Sequence, residues 1–379
     1  MISTVIGPAR TNRSLIFEWW RSVDHISLGL LVCLIGSGLI LSMASSPAAS
    51  ARMDIIDPFH FLYRHAVFAL IGLAGAFFVS TLSPQNARRI AVIALVGASI
   101  LLFYVIIDGH TVKGAKRWIR LGTFSLQPSE FVKPAFIVFA AWMFSAQKRD
   151  PKVPGVMIVF GVYLSLIAIL IQQPDFGQSF LLTLCFAAVF FFAGLSLGWM
   201  LFLMGVSILG SIGAYVALPH VRDRILKFLS SDGDKYQTDK ALEAISSGGF
   251  LGRGPGEGAV KFRLPDGHTD FIFAVVAEEF GFLISLCLVF LLSAFVLRAF
   301  RNALRLNDYF SQLAVSGLAT MIGIQMIINL YVNLNMAPPK GMTLPFISYG
   351  GSSMIALCFA AGLILAFTRR RPGAYGYGQ

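Results

Sequence analysis

Apolar runs alternate with short polar breaks along almost the whole chain, near residues 26–44, 62–82, 90–107, 129–146, 155–172, 177–195, 199–218, 271–297, 309–335 and 346–367. Most approach the roughly 20 residues that an α-helix needs to cross the hydrocarbon core of a bilayer. Only helices and closed barrels satisfy their own backbone hydrogen bonds there. The breaks carry Pro, Gly, Asn or charge, as in Ser83-Pro84-Gln85-Asn86, Pro174-Asp175 and Pro338-Pro339. The pattern predicts an all-α polytopic membrane protein with about ten transmembrane helices. It forms one domain over 1–379, with an N-terminal segment (1–25), a large polar loop (219–270) between helices 7 and 8, and a tail (368–379).

Composition agrees, because 56% hydrophobic and 13% charged residues exclude an ordinary soluble globule. Ten spans put both termini on one side. Fourteen of the 30 Lys and Arg flank that side: Arg10, Arg13, Arg21, Arg88, Arg89, Lys148, Arg149, Lys152, Arg298, Arg301, Arg305 and Arg369 to Arg371. The positive-inside rule makes that side, with both termini, cytoplasmic. The opposite side is basic too, with Lys113, Lys116, Arg117 and Arg120 in one loop, Arg222 through Arg263 in the large loop, and Lys340 beyond. Headgroup contacts explain any one of them; together they favour an anionic ligand outside the membrane. Nucleic acid is not an expected partner. The first run is too long for a cleaved signal sequence and is taken as the first span.

Several chemistries find little support. The four cysteines fall inside spans without paired spacing, and His60 and His65 lack a carboxylate pattern for zinc. The glycine-dense stretch from Ser246 to Gly258 lacks the Gly-Lys-Ser/Thr ending of a phosphate loop, and reads as a flexible bend or an anion nest.

Charges inside spans carry more information, since each costs a few kcal/mol (~3) unless it meets a partner or a cavity. Five stand out: Glu130, Lys133, Asp175, Glu278 and Glu279. Glu130 and Lys133, three apart, share a helix face, either as a self-contained ion pair or with Lys133 turned into an outer cavity. Asp175 is placed to cap the next helix, within reach of a polar cavity. Glu278 and Glu279 point about 100° apart, so one is structural and the other holds Asp270 or a basic partner. Gln325, Asn329 and Asn333 recur every four residues, the usual pattern of interhelical hydrogen bonding. Asp270, at the mouth of the span from Phe271, is the leading candidate for chemistry.

Four motifs then speak together. Leu264-Pro265-Asp266-Gly267-His268-Thr269-Asp270-Phe271, with Glu278-Glu279-Phe280-Gly281 after it, resembles the signature of the SEDS family of cell-shape and division polymerases. Lys116-Arg117-Trp118-Ile119 with Gln127-Pro128-Ser129-Glu130-Phe131-Val132-Lys133, then Gln173-Pro174-Asp175-Phe176-Gly177, and Lys340-Gly341-Met342-Thr343-Leu344-Pro345-Phe346-Ile347-Ser348-Tyr349-Gly350-Gly351, follow in the family's order over most of the chain. The last is most similar to the division branch, while Asn335-Met336-Ala337-Pro338-Pro339 departs from it.

The resemblance implies a peptidoglycan glycosyltransferase that polymerises lipid II at the outer face of the cytoplasmic membrane. It also implies a class B penicillin-binding protein as partner, regulatory divisome proteins, and a divalent cation (Mg or Mn). In that chemistry Asp270 is the candidate general base. Lys116, Arg117, Lys133 and Lys340 are candidates to offset the pyrophosphate leaving group. Trp118 stacks on sugar or sits at the interface; Asp175, His268 and Ser348 complete the expected substrate-binding set. Glu130, Glu278, Glu279, Asn329 and Asn333 are expected to support it. A lipid II flippase, an elongation-type polymerase and a recruiting scaffold remain the alternatives.

Overall fold

The computed structural model describes residues 15–112, 115–122, 124–194, 236–339 and 341–370, with isolated positions between 195 and 235. Its helices are α1 (Leu15–Ser22), α2 (His25–Arg52), α3 (His60–Thr81), α4 (Pro84–Asp108), α5 (Pro128–Arg149), α6 (Gly155–Gln172), α7 (Phe176–Phe192), α8 (Tyr236–Gly248), α9 (Ile272–Ala303), α10 (Tyr309–Asn333) and α11 (Gly351–Thr368). Among the described residues, α2 to α6 and α9 to α11 are long and apolar enough to cross a membrane, and α7 is a shorter apolar helix. Most of the expected span 199–218 and of the first part of the large loop lies outside the described residues.

The helix starts follow local chemistry. Asp24, Ser83, Asp175 and Asp308 each accept a hydrogen bond from a backbone N–H three residues on, and Pro84 and Pro128 occupy first-turn positions where no N–H is needed. The last span begins at Gly351, not at 346, because 344–348 closes a turn of its own: Ile347 N and Ser348 N both donate to the Leu344 carbonyl.

Burial sorts the helices into two groups. The most apolar stretches of α5, α10 and α11 are 78%, 72% and 83% buried, against 28–39% for α2, α3, α4, α6 and α9. Of the inner three, α5 carries Glu130 and Lys133 and α10 carries Gln325, Asn329 and Asn333, because a residue facing protein can find a partner that lipid does not supply. Small residues bring α11 against α3, where a Cβ on Gly72 would meet Cys358 Sγ at 2.8 Å and one on Gly362 would meet Ala76 O at 2.8 Å.

One element was not expected from the sequence. The basic loop before α5 is a three-stranded antiparallel meander, β1 (His110–Val112), β2 (Ala115–Leu121) and β3 (Phe124–Leu126), in the order β1-β2-β3. Leu121 pairs with Phe124 across a two-residue connection that opens on Gly122 at φ +62°, the residue such hairpins favour. Gly122 was the readable signal.

At the end of the bundle opposite the meander, Asp24 ties α2 to α9. Its carboxylate accepts from Arg298 at 2.6 and 2.9 Å and from Asn302 at 2.8 Å. Burial pushes the Asp24 carboxyl up, but the bonds from Arg298, Ser27 and Asn302 outweigh it and hold the group well below the usual carboxylate range. A depressed folded value means that the stabilisation is fully present above the ordinary range near about pH 4 and is lost as pH falls through the folded value. Asp24→Asn is therefore expected to cost about 2 kcal/mol at neutral pH. The gap in melting temperature between variant and wild type should shrink as the pH is lowered below about 4; a gap independent of pH would contradict the ionised lock.

Candidate active site

Asp270 sits at the turn that enters α9, half-buried. Its backbone carbonyl is gripped by two amides of α10, Asn329 Nδ2 at 2.8 Å and Asn333 Nδ2 at 3.0 Å. Asn333 Oδ1 accepts from Ala274 N (3.2 Å), and Asn329 Nδ2 also donates to Met342 O (2.7 Å). One turn earlier, Gln325 Nε2 donates to Thr343 O (3.1 Å). The amide stripe therefore does more than join helices: it fixes the main chain of Asp270 against the segment 341–343. Gly341, at φ +66°, passes so close that a Cβ there would lie 3.9 Å from Asp270 Oδ2.

His268, two residues before, is buried with its ring 4.4 Å from Phe61 and 5.6 Å from Tyr349, and its carbonyl accepts from Tyr349 N (3.1 Å). It lines a cavity of about 290 Å³ that also borders Arg52, Lys261 and Asp266. This cavity lies beside the Asp270 turn, with His268 in its wall.

The five intramembrane charges are all at most 5% exposed, and each has a partner. Lys133 Nζ meets Glu130 Oε2 at 2.8 Å and Gln325 Oε1 at 3.4 Å. Glu130 Oε1 accepts from Gln178 Nε2 (2.6 Å), whose backbone N is capped by Asp175. Asp175 accepts from Gln127 Nε2 (3.2 Å) and pairs with Arg117 at 3.6 Å, while Arg117 also donates to the carbonyls of Gln173 and Pro174. A continuous polar chain thus runs from the meander through α5 and α7 to α10. Lys133 is not turned into an open cavity: it is the centre of a buried pair.

That pair makes a sharp prediction. Removing one partner leaves an uncompensated buried charge, at a cost of about 3–5 kcal/mol, whereas removing both avoids it. Lys133→Ala should lower the melting temperature strongly, and Glu130→Gln with Lys133→Met should recover most of the loss. A double variant no more stable than the single one would refute the pairing.

Glu278 is structural, and Glu279 holds a basic partner, Lys261, the second of the two expected arrangements. Glu278 accepts from Val260 N (2.7 Å) and Lys261 N (2.9 Å). Glu279 accepts from Gly256 N (3.1 Å) and forms an ion pair with Lys261, whose Nζ also donates to Ala44 O (3.3 Å) on α2. Just beyond, Gly281 adopts φ 78°, ψ −176° and breaks α9. In an unbroken helix the N–H groups of Phe282 and Leu283 would bond the carbonyls of Glu278 and Glu279. Here they bond Gly249 O (2.9 Å) and Phe250 O (3.4 Å), and Arg253 N and Gly254 N take the two glutamate carbonyls, both at 3.0 Å. The glycine-dense stretch is therefore a docked plug in the broken helix, not a flexible bend. Its glycines are needed for approach, since a Cβ on Gly248 or Gly252 would strike the carbonyls of Ala277 and Glu279.

Of the remaining expected residues, Ser348 is buried and its hydroxyl accepts from Leu344 N (2.8 Å), so it closes the 344–348 turn. On β2, Lys116 is exposed and Trp118 half-buried opposite His110, on the strand face away from Arg117. Lys340 lies outside the described residues. Lys261, Gln127 and Gln178 were missed as members of the site. Lys261 is a cation in an irregular loop, and its burial depends on a helix that sequence reasoning did not expect to be broken.

These features define a multi-pass membrane protein with a carboxylate site at one end of its helix bundle. The chain belongs to the FtsW/RodA/SpoVE family, whose model, described as "Cell cycle protein", matches residues 25–372, in line with the SEDS resemblance of its motifs. It is 47% identical over 369 residues to a Caulobacter vibrioides protein named "Probable peptidoglycan glycosyltransferase FtsW", covering 97% of this chain and 95% of that one. It is 33% identical to "Stage V sporulation protein E" of Bacillus subtilis, covering 92% and 97%. Among solved structures it resembles a chain described under "Structural coordination of polymerization and crosslinking by a peptidoglycan synthase complex", with a TM-score of 0.75, 28% identity and coverage of 92% and 98%. The rod shape determining protein RodA of Thermus thermophilus aligns with a TM-score of 0.66, 28% identity and coverage of 92% and 97%.

Proposed function

We propose that this chain is a peptidoglycan glycosyltransferase that polymerises lipid II into glycan strands at the outer face of the cytoplasmic membrane, in septal wall synthesis. The observation that carries it is the Asp270 carboxylate, half-buried at the mouth of a span and mounted on a backbone held at 2.8 and 3.0 Å by Asn329 and Asn333. A group so placed meets the reacting end of a lipid-linked sugar while the tail stays in the bilayer. The names of the relatives favour transfer over transport.

In the reaction, the 4-hydroxyl oxygen of the acceptor sugar forms a bond to the anomeric carbon of the donor as the bond from that carbon to the pyrophosphate oxygen breaks. Asp270 takes the hydroxyl proton, and the polyprenyl pyrophosphate leaves with the bonding electrons. Lys116, exposed on β2, and Lys340 are the basic groups assigned to the leaving charge. Arg117 and Lys133, each held by a carboxylate, position the wall of the site.

A divalent cation, magnesium or manganese, would be one shared with substrate. Among the described residues no three His, Cys, Asp or Glu side chains cluster, so the substrate's phosphates would supply most of its ligands, leaving Asp270 to take the proton. Bound there, it would offset the charge of the leaving group. The likeness to a member of a peptidoglycan synthase complex supports pairing with a cross-linking class B penicillin-binding protein, under control of divisome proteins.

The test is polymerisation by the purified chain with such a partner, its transpeptidase blocked, supplied with lipid II and Mg. Glycan ladders are expected. Movement of labelled lipid II across vesicles without any ladder would replace this function by transport.

A further inference from the structure

The end of the bundle opposite Asp270 encloses a cavity of about 1170 Å³ lined by seven arginines against two aspartates, Asp24 and Asp308. Both acids are already engaged, Asp24 by Arg298 and Asp308 by the N–H and hydroxyl of Ser311. An arginine belt on one face of a membrane protein needs only the positive-inside rule. A concave site whose seven arginines outnumber its two aspartates, even with Arg298 paired to Asp24, favours an anion.

The geometry is prepared for one. The guanidinium of Arg88 is stacked 4.7 Å over Trp142 and 5.8 Å from Phe310, which engages its face and leaves its N–H edges for an acceptor. Arg88 feels the like charges of Arg149 and Arg89 and is opposed by Asp308. Arg149 and Arg305 line the same cavity from the ends of α5 and α9.

The cavity does not stop at charge. Ile26, exposed, forms part of its wall, and His25, also in the wall, meets the edge of Trp20 at 4.6 Å. Trp20 belongs to α1, which is anchored by buried Trp19 donating to Ser80 Oγ (2.8 Å) and turns Ile16, Phe17 and Trp20 outward. A short helix with aromatic residues beside arginines is built for the headgroup level of a bilayer.

We propose that this end of the protein is a binding site for an anionic phospholipid, with its phosphate among Arg88, Arg149 and Arg305 and its acyl chains along Ile16, Phe17, Trp20 and Ile26. The site is separate from the Asp270 centre and stands whether or not that centre is a polymerase. A net anionic headgroup is required, since a zwitterionic one brings its own cation into a cavity already short of negative charge. Occupancy ties α1, α4, α5 and α9 together at the cytoplasmic end.

The test uses the full chain in detergent micelles, titrated with phosphatidylglycerol or phosphatidylcholine and read by native mass spectrometry for retained lipid and by melting temperature. Retention of phosphatidylglycerol over phosphatidylcholine is expected. Arg149→Gln with Arg305→Gln should weaken that retention by about tenfold, because each basic group near such a surface contributes roughly a factor of five before screening. Arg120→Gln with Arg263→Gln, which removes the same charge from the other end, should leave it unchanged. Equal retention of the two lipids, equal loss in both double variants, or retention unaffected by Arg149→Gln with Arg305→Gln would each overturn the proposal. Displacement of the lipid by millimolar inorganic phosphate alone would also overturn it, by showing an ion site that does not use the acyl chains.

Discussion

Asp270→Asn is expected to abolish glycan polymerisation while leaving the protein folded and able to bind lipid II. The substitution is nearly isosteric, and the bonds that Asn329 and Asn333 donate to the backbone carbonyl of this turn do not depend on the charge of the side chain. What changes is the capacity to accept a proton. A general base contributes about 10²–10⁴ in rate, so single-turnover polymerisation should fall by at least about a hundredfold, with the melting temperature and the affinity for lipid II close to wild type. A variant that still forms ladders at the wild-type rate would remove Asp270 from the reaction, and one that unfolds would reassign it to structure.

Gly281→Ala is expected to be the most damaging single substitution away from the reacting groups. At φ 78°, ψ −176° the residue occupies backbone space that is essentially reserved for glycine. A Cβ there would strike Gly252 N and come within 2.5 Å of Phe250 O, so the plug formed by 249–254 could not stay seated. Its four backbone bonds to α9 would be lost together, leaving the amides of Phe282 and Leu283 and the carbonyls of Glu278 and Glu279 unpaired. At about 1–3 kcal/mol for each buried group left unsatisfied, the loss should reach several kcal/mol, about 4 or more. Limited proteolysis should then cut within the glycine-dense stretch, which the wild type protects. An Ala variant with an unchanged melting temperature and the same protection would show that α9 can close its ladder without the plug.

Both predictions rest on one design. The plug, the Glu278 and Glu279 carboxylates and Lys261 hold the 256–264 segment to α9 and α2, and the Asn329 and Asn333 amides hold the turn that follows. The segment 249–270 therefore arrives at Asp270 as a fixed strut. A general base held this way loses little conformational freedom on meeting substrate, which is what positioning contributes to catalysis.

Much of this molecule is written locally. The apolar runs from 26 to 172 mark five spans because the bilayer imposes one length on every crossing helix. The polar exceptions, Glu130, Lys133, Asp175, Glu278, Glu279 and the Gln325, Asn329 and Asn333 stripe, are conspicuous because charge and amide groups are costly in that setting. Their motifs were enough to identify the family. What each group does was decided only in three dimensions. Glu130 meets Gln178, 48 residues away, Lys133 meets Gln325 at 192, and Lys261 reaches Ala44 at 217. The break at Gly281 is likewise invisible locally, since a glycine within an apolar run is tolerated in any helix. It becomes a kink only because 249–254 is present to satisfy the four backbone groups that it frees. Sequence by itself determined which groups must have partners, because the cost of burial is a property of the residue; the tertiary structure decided which partners they have, because pairing depends on distances that only the folded chain sets.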